Sequence, residues 1–384
     1  MSDAISHNGT ERTARVMQTL YLAALVLYVL SRSLLRISWS SGVAAVLPTC
    51  LAFNAVASLI LYALFFAVIV TEAVLPARRG EPILLDRKDK VTLGVLGICC
   101  ALTFHEVGFE GVRIALMFFL ARLVPFRRVA ATLLFAFAAV ICIAAVSCFA
   151  GLSTDVVAVF DYATCHSMGF TNANGLGLYL FLAFLCGWSL YDLRNRLVSA
   201  LACLAASAII FALTGCRTAL VVLVLLAVLS ALPDTEKIWQ SKAVKATIIL
   251  LPLIMTALSF LVGYILVPFD GMSDGNFFCR FVEGIYALQQ GGVHLFNWDY
   301  TTPERIFYFD NGYFYWLLRL GLLAGAGLLG CLTFTNARAA SRGRKLEIVL
   351  IVCLAVYFTV EQLEVMVLPL LCAYCQGEPR EDPE

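Results

Sequence analysis

The chain has 384 residues, of which 61% are hydrophobic and 14% charged, with a formal net charge of +1. Soluble domains run at about 45–50% apolar and about 25% charged. This composition, with a mean hydropathy of +0.89, therefore excludes a single water-soluble core and calls for a bilayer as solvent.

Apolar runs separated by polar breaks predict about eleven spans, near 17–31, 43–70, 91–104, 112–126, 130–150, 174–191, 197–214, 218–232, 246–267, 311–334 and 346–366. The first run, Met17–Ser31, lies between Arg12 and Arg15 on one side and Arg32 and Arg36 on the other. No small-residue cleavage site follows it, so it is expected to be a span and not a removable leader. The last run, 346–375, exceeds the roughly 20 residues that one span needs. It leaves room for a twelfth, short or re-entrant segment, and leaves the side of the tail 376–384 open. No internal repeat and no inverted repeat of the secondary-transporter kind is visible. The expected fold is a single integral membrane domain over 1–384, an all-α polytopic bundle.

Charge sets the orientation. With the N-terminus inside, the inner segments hold 18 of the 27 Lys and Arg, and the outer segments hold five: Arg32, Arg36, Arg217, Arg280 and Arg305. That asymmetry predicts a cytoplasmic N-terminus and makes each outer arginine a residue that needs its own explanation. Two long segments fall outside, 151–173 and 268–310. The 14 cysteines mostly sit singly in apolar runs, where cysteine behaves as a small hydrophobe. Cys165 and Cys279 fall in the two outer loops, which leaves a disulfide between them open.

The outer loops hold the candidate chemistry. Arg217 stands in Leu213-Thr214-Gly215-Cys216-Arg217-Thr218-Ala219, a tight hairpin between two apolar runs. It is either a snorkelling side chain or a boundary charge kept for a task. Around Arg280, Phe278, Phe281, Val282 and Ile285 recur at helical spacing, predicting an amphipathic helix on the outer membrane surface. Arg280, Gly284 and Ala287 share another face, where small residues leave room for a bulky anion; the plain alternative is an i,i+3 pair with Glu283. Asp310 and Asn311 open the next run, where they suit capping, and Asp310 also suits a general base or an orienter of an acceptor hydroxyl. Tyr313, Tyr315 and Trp316 fit an interfacial aromatic belt or a sugar-facing surface. His166 and His294 are loop histidines, each a minor candidate for a base. Glu361 and Glu364 share a helical face, and one of them is expected to pair with an outer arginine. Neither a P-loop, a nucleotide-sugar fold nor a metal-site motif is found. An enzyme acting here would therefore take a substrate that is already activated, a lipid-linked donor.

Three stretches resemble the O-antigen polymerase and O-antigen ligase superfamily of bacterial membrane glycosyltransferases. Gly169-Phe170-Thr171-Asn172-Ala173-Asn174-Gly175-Leu176-Gly177 is similar to its Gly-Phe-x-Asn-Pro-Asn lead into a span. Leu213–Ala219 is similar to its Thr-x-Ser-Arg-Thr-Ala hairpin. The segment from Arg280 to Gly321 resembles its long outer loop. Ala173 stands where proline is usual and Cys216 where serine is usual. Asp310-Asn311 stands where ligases carry His-Asn, which favours polymerase over ligase. The resemblance implies a fold like the GT-C class and metal-independent transfer without a cofactor, on the outer face of the bacterial cytoplasmic membrane. The donor is a glycan on undecaprenyl pyrophosphate, and the acceptor is a second lipid-linked repeat unit. It implies Arg217 and Arg280 as pyrophosphate clamps and Asp310 as the residue acting on the acceptor. Asn174, Asn311, Tyr313 and Glu361 are expected to contact substrate. A flippase and a chain-length regulator are the expected protein partners, beside membrane lipids, and no nucleic acid is. Ligase-type transfer to another acceptor, or transport of a polysaccharide, stays open as an alternative.

Overall fold

The structure of the protein is a computed structural model that describes residues 2–74, 93–94, 97–98, 101, 109–160, 163–191, 195–269, 279–296, 298 and 309–360. Helices dominate it. In chain order they are α1 (Ser2–Ser33), α2 (Leu47–Ile69), α3 (Phe109–Ala121), α4 (Phe126–Phe149), α5 (Ala173–Tyr191), α6 (Arg196–Thr214), α7 (Arg217–Ala231), α8 (Lys242–Leu266), α9 (Cys279–Gly291), α10 (Leu322–Arg342) and α11 (Lys345–Tyr357). Among the described residues, six of these, α1, α2, α4, α5, α6 and α8, are long and apolar enough to cross a membrane. Their outward faces carry Leu59, Phe66, Phe135, Ile209 and Leu261. Large side chains of this kind fit hydrocarbon as the surrounding solvent.

Local chemistry sets the helix ends. Pro48 stands in the first turn of α2, where its missing N–H leaves no gap. Asn195 begins α6 by accepting from Leu197 N and Val198 N, and Ser241 begins α8 by accepting from Val244 N, as N-caps do. Gly215 and Gly343 end α6 and α10 in the left-handed conformation, which glycine adopts without a Cβ penalty.

The helices pack as neighbouring pairs: α1 on α2 and α4, α4 on α5, α6 on α7, and α8 on α9, α10 and α11. One contact shows how the bundle deals with a helix breaker. Pro252 lies inside α8, so the carbonyl of Ile248, four residues earlier, loses its usual donor. The Nδ2 of Asn336, on α10, donates to that carbonyl at 2.9 Å. Asn336 and Ile248 are both buried. At the end where α10 turns into α11, Lys345 Nζ donates to the carbonyls of Ser230 and Leu232, at 2.8 and 2.6 Å, at the C-terminus of α7.

The structure departs from the expected architecture in three places. The segment 151–173 holds a two-stranded antiparallel hairpin, β1 (Val157–Phe160) and β2 (Ala163–His166), with Val157 opposite His166. The fold is therefore predominantly α and not wholly so. The expected span 311–334 is broken: a helical turn at Gly312–Phe314 runs into a wide turn, Tyr315–Arg319, and only then into α10. The amide of Leu320 reaches back five residues to Tyr315 O, and Gly321 takes a positive φ of 89°. Of the expected span 346–366, α11 ends at Tyr357 and Phe358–Val360 turn; 361–366 lie outside the described residues. The disulfide left open between Cys165 and Cys279 is not formed. Most of the expected span 91–104 lies outside the described residues, as do the tail 361–384 and large parts of 268–310.

The Pro252–Asn336 contact makes a direct prediction. Asn336→Leu leaves the Ile248 carbonyl unpaired in an apolar interior. That change should lower stability by about 1–3 kcal/mol, read as a drop in the unfolding midpoint of the purified protein in detergent.

Candidate functional site

The turn that ends α11, Phe358–Val360, gathers the segments that the sequence singled out. Tyr357 lies 3.9 Å from Cys216 Sγ through its hydroxyl, next to Arg217. Its ring stacks on Phe181 of α5, with centroids 4.6 Å apart. The Phe358 ring meets Tyr313 edge-on at 5.1 Å and Trp316 at 4.7 Å, and the Phe358 carbonyl accepts from Gly312 N at 2.9 Å. Gly312 is pressed against the Phe358 ring so closely that a Cβ there would overlap it. The Val360 carbonyl accepts a hydrogen bond from Arg280 Nη1.

The lead into α5 joins the same end of the bundle. A Cβ on Gly177 would stand 2.5 Å from Cys216 Cβ and 2.8 Å from Thr214 Oγ1, so a glycine is what lets α5 close on the Arg217 hairpin. Asn172 caps α5 by accepting from Gly175 N at 2.6 Å. Asn174, one turn earlier than Gly177, is exposed. Arg217 is the first residue of α7 and is exposed as well.

The pair Arg280–Asp310 is the charged centre of this end. Arg280 Nε lies 3.4 Å from Asp310 Oδ2, with the arginine side chain 17% exposed and the carboxylate 49% exposed. Arg280 is thus turned to Asp310 and Val360. A guanidinium braced by a carbonyl and a carboxylate is held in a fixed plane, while half of the carboxylate stays open to an incoming group.

One expectation for the surroundings of Arg280 is corrected. Helix α9 packs on α8, and a Cβ on Gly263 of α8 would stand 2.5 Å from Phe281 O. The face bearing Gly284 and Ala287 is also filled, because Gly284 abuts the Phe314 ring and Ala287 is buried. No space for a bulky anion opens there.

Asn311 and Tyr313, expected to contact substrate, are instead buried supports. The Asn311 side chain accepts from Tyr313 N and Phe314 N, and its Nδ2 donates to Ser259 Oγ of α8 at 3.0 Å. Tyr313 is 1% exposed and donates its hydroxyl to Ala355 O at 3.1 Å. Together they fix the backbone on which Asp310 sits. Glu361 and Glu364 lie outside the described residues.

The 151–173 segment contributes a second polar centre, in which only the histidine was a candidate from the sequence. Asp155 Oδ2 lies 2.6 Å from His166 Nδ1, and Oδ1 accepts from Met168 N at 2.9 Å and from Ser167 Oγ at 3.4 Å. Burial pushes the Asp155 carboxyl up, but the hydrogen bonds from His166, Met168 and Ser167, with the charge of His166, outweigh it and hold the group below the ordinary carboxylate range. This staple braces an awkward turn, since Met168 and Gly169 both have positive φ, 45° and 95°. The turn leads directly to Phe170, which pairs with Ile37 and stacks on Tyr179 at 5.1 Å, and so to the cap of α5. His294 is engaged elsewhere, with Nε2 2.6 Å from Gly291 O.

Set against family models, curated proteins and solved structures, the chain matches none. The class rests on the fold itself: a predominantly α-helical protein with, among the described residues, six helices long and apolar enough to cross a membrane, carrying an arginine–aspartate pair at one end of the bundle.

The Asp155 staple predicts a pH dependence. A carboxyl held below its unfolded value contributes stability above that value, about 3.9, and loses it as pH falls through the folded value. Asp155→Asn should therefore unfold at a lower temperature than the parent at pH 7. The two should converge as the pH is taken below about 4, measured by thermal unfolding across a pH series.

Proposed function

We propose that the chain is a membrane glycosyltransferase that polymerises lipid-linked oligosaccharide repeat units, with its N-terminus cytoplasmic and its site on the outer face of a bacterial cytoplasmic membrane. The observation that carries this reading is the convergence at the α11 turn. The Arg217 hairpin, the lead into α5, Arg280 and the Asp310 segment are far apart in sequence and resemble the polymerase and ligase superfamily one by one. In the fold they lie at one end of one bundle.

The chemistry follows from the side chains. A hydroxyl of the acceptor sugar attacks the anomeric carbon of the donor. The carbon–oxygen bond to the lipid pyrophosphate breaks, and the leaving pyrophosphate takes the electron pair. Charge grows on its oxygens in the transition state. Arg217 and Arg280 are the groups to stabilise it, since guanidinium forks match phosphate oxygens. The proton of the attacking hydroxyl passes to the half-exposed Asp310 carboxylate. Asn311, Tyr313 and Phe358 keep that carboxylate in register, a supporting role that differs from contact with the sugar. Exposed Asn174 remains the side chain of its stretch able to meet substrate.

Charge-preserving variants test the clamp. In cells lacking their own copy of the gene, Arg217→Lys and Arg280→Lys should leave protein abundance unchanged. Each should slow polymerisation by roughly 10²–10³-fold, the scale of losing one charge-stabilising donor. The surface glycan should then collapse from a ladder of lengths to single repeat units. Unchanged glycan length in both variants rejects the two-arginine site. Movement of labelled lipid-linked sugar across the membrane without glycosidic bond formation rejects the enzyme.

A further inference from the structure

The strap that follows α9, residues 292–296 with Trp298, has no helical or strand backbone of its own, yet it presents large apolar side chains outward. Val293, Leu295, Phe296 and Trp298 are each between 47% and 57% exposed. Such side chains on a loop in water would be a liability. Three features of the strap suit a different surrounding.

First, much of its backbone is satisfied from within the protein. The carbonyls of His294 and Leu295 accept from Leu322 N at 2.8 Å and Leu323 N at 3.1 Å, which are amides of the first turn of α10. Trp298 N donates to Arg319 O at 3.2 Å, and Gly292 N to Leu288 O at 2.8 Å. Non-helical backbone can sit at membrane depth only when it is paired in this way. Second, the strap is docked tightly. Gly321, with φ of 89°, leaves so little space that a Cβ would collide with the Phe296 backbone. Third, the apolar surface continues. Leu322 and Leu323, at the start of α10, are also exposed and extend the patch onto that helix. The His294 ring stacks on Trp298 with centroids 4.0 Å apart and planes 10° apart, giving an aromatic pair with one polar member of the kind found at the bilayer–water boundary. In the sequence no charged residue stands between Gly291 and Trp298, and Asp299 follows at once.

We propose that this strap is a membrane-interface anchor: Val293, Leu295, Phe296 and Trp298 insert shallowly into the lipid leaflet beside the start of α10, with the His294–Trp298 stack at headgroup level. The partner is the lipid surface itself. The inference does not depend on glycosyl transfer, because it rests only on the strap, the wide turn and α10. It gives the wide turn a role: with the strap pinned in lipid, the backbone from Tyr315 to Gly321 is tied to the bilayer at one end and to Asp310 and Asn311 at the other.

Trp298 is its own probe. The full chain and a Trp298→Phe variant are placed in nanodiscs of phosphatidylcholine or of its counterpart brominated high on the acyl chain, and the difference in tryptophan emission isolates Trp298. An anchor predicts a blue-shifted component that loses most of its intensity in the brominated lipid and less of it to aqueous iodide. A second variant, Phe296→Trp, should add a component quenched in the same way. It needs no loss of a native side chain's bulk and so reports even where Trp298→Phe proves unstable. Stronger quenching by iodide than by brominated lipid, at both positions, overturns the proposal in favour of a solvent-exposed loop. Quenching by neither overturns it in favour of contact with a second copy of the chain.

Discussion

Within an apolar surrounding a backbone carbonyl or amide without a partner costs several kcal/mol, and this requirement shapes the parts of the chain that are not plain helix. Pro252 leaves the Ile248 carbonyl without its donor, and Asn336 fills the place from α10. The C-terminus of α7 ends under Lys345. The start of α10 takes carbonyls from the strap after α9. In each case a residue distant in sequence supplies what the local helix lacks, so the bundle is cross-linked at its irregular points.

The candidate site is built by the same logic. The α11 helix stops at Tyr357, and two carbonyls of the turn just beyond it are engaged: Phe358 O takes Gly312 N and Val360 O takes Arg280. Satisfying a helix end therefore fixes both the arginine and the segment carrying Asp310. Gly312 and Gly177 allow the close approaches, one against the Phe358 ring and one against Cys216. The arginine–aspartate pair stands where these constraints meet, with the carboxylate on the open side. A site assembled in this way is rigid beneath and accessible above, an arrangement that holds charged groups in place without reorganisation.

The opposite end of α10 and α11 has another character. Glu347 is buried and lies 3.1 Å from Arg342 Nε and 3.5 Å from Arg344 Nη1. Together with Lys345 over the Trp239 ring at 5.8 Å, these side chains tie the turn between the two helices to the end of α7. Basic residues at this end are largely spent on structure, whereas the Arg280 end presents an accessible carboxylate beside its cation.

The membrane class and the positions of the long helices could be read from the sequence, because twenty consecutive apolar residues have few other solvents. The predicted runs 130–150, 174–191, 197–214 and 246–267 differ from α4, α5, α6 and α8 by only a few residues. Arg217 and Arg280 stood out as charges at apolar boundaries. Other features depended on contacts that no local pattern encodes. Tyr357, Phe358 and Val360 look like ordinary members of an apolar run, and their part in the site comes only from what the α11 turn meets in space. The break at 315–321 was hidden because Leu317, Leu318 and Leu320 carry the apolar pattern past Arg319, and the widened turn is set by packing against Phe358 and the strap. Asn311 and Tyr313 carried polar groups that suggested a substrate, while the fold gave those groups Ser259 and Ala355 as partners. Hydrophobicity is a property of each residue and survives in the sequence. The partner of a hydrogen bond or an ion pair is a property of two distant residues, and it is settled only when the chain has folded.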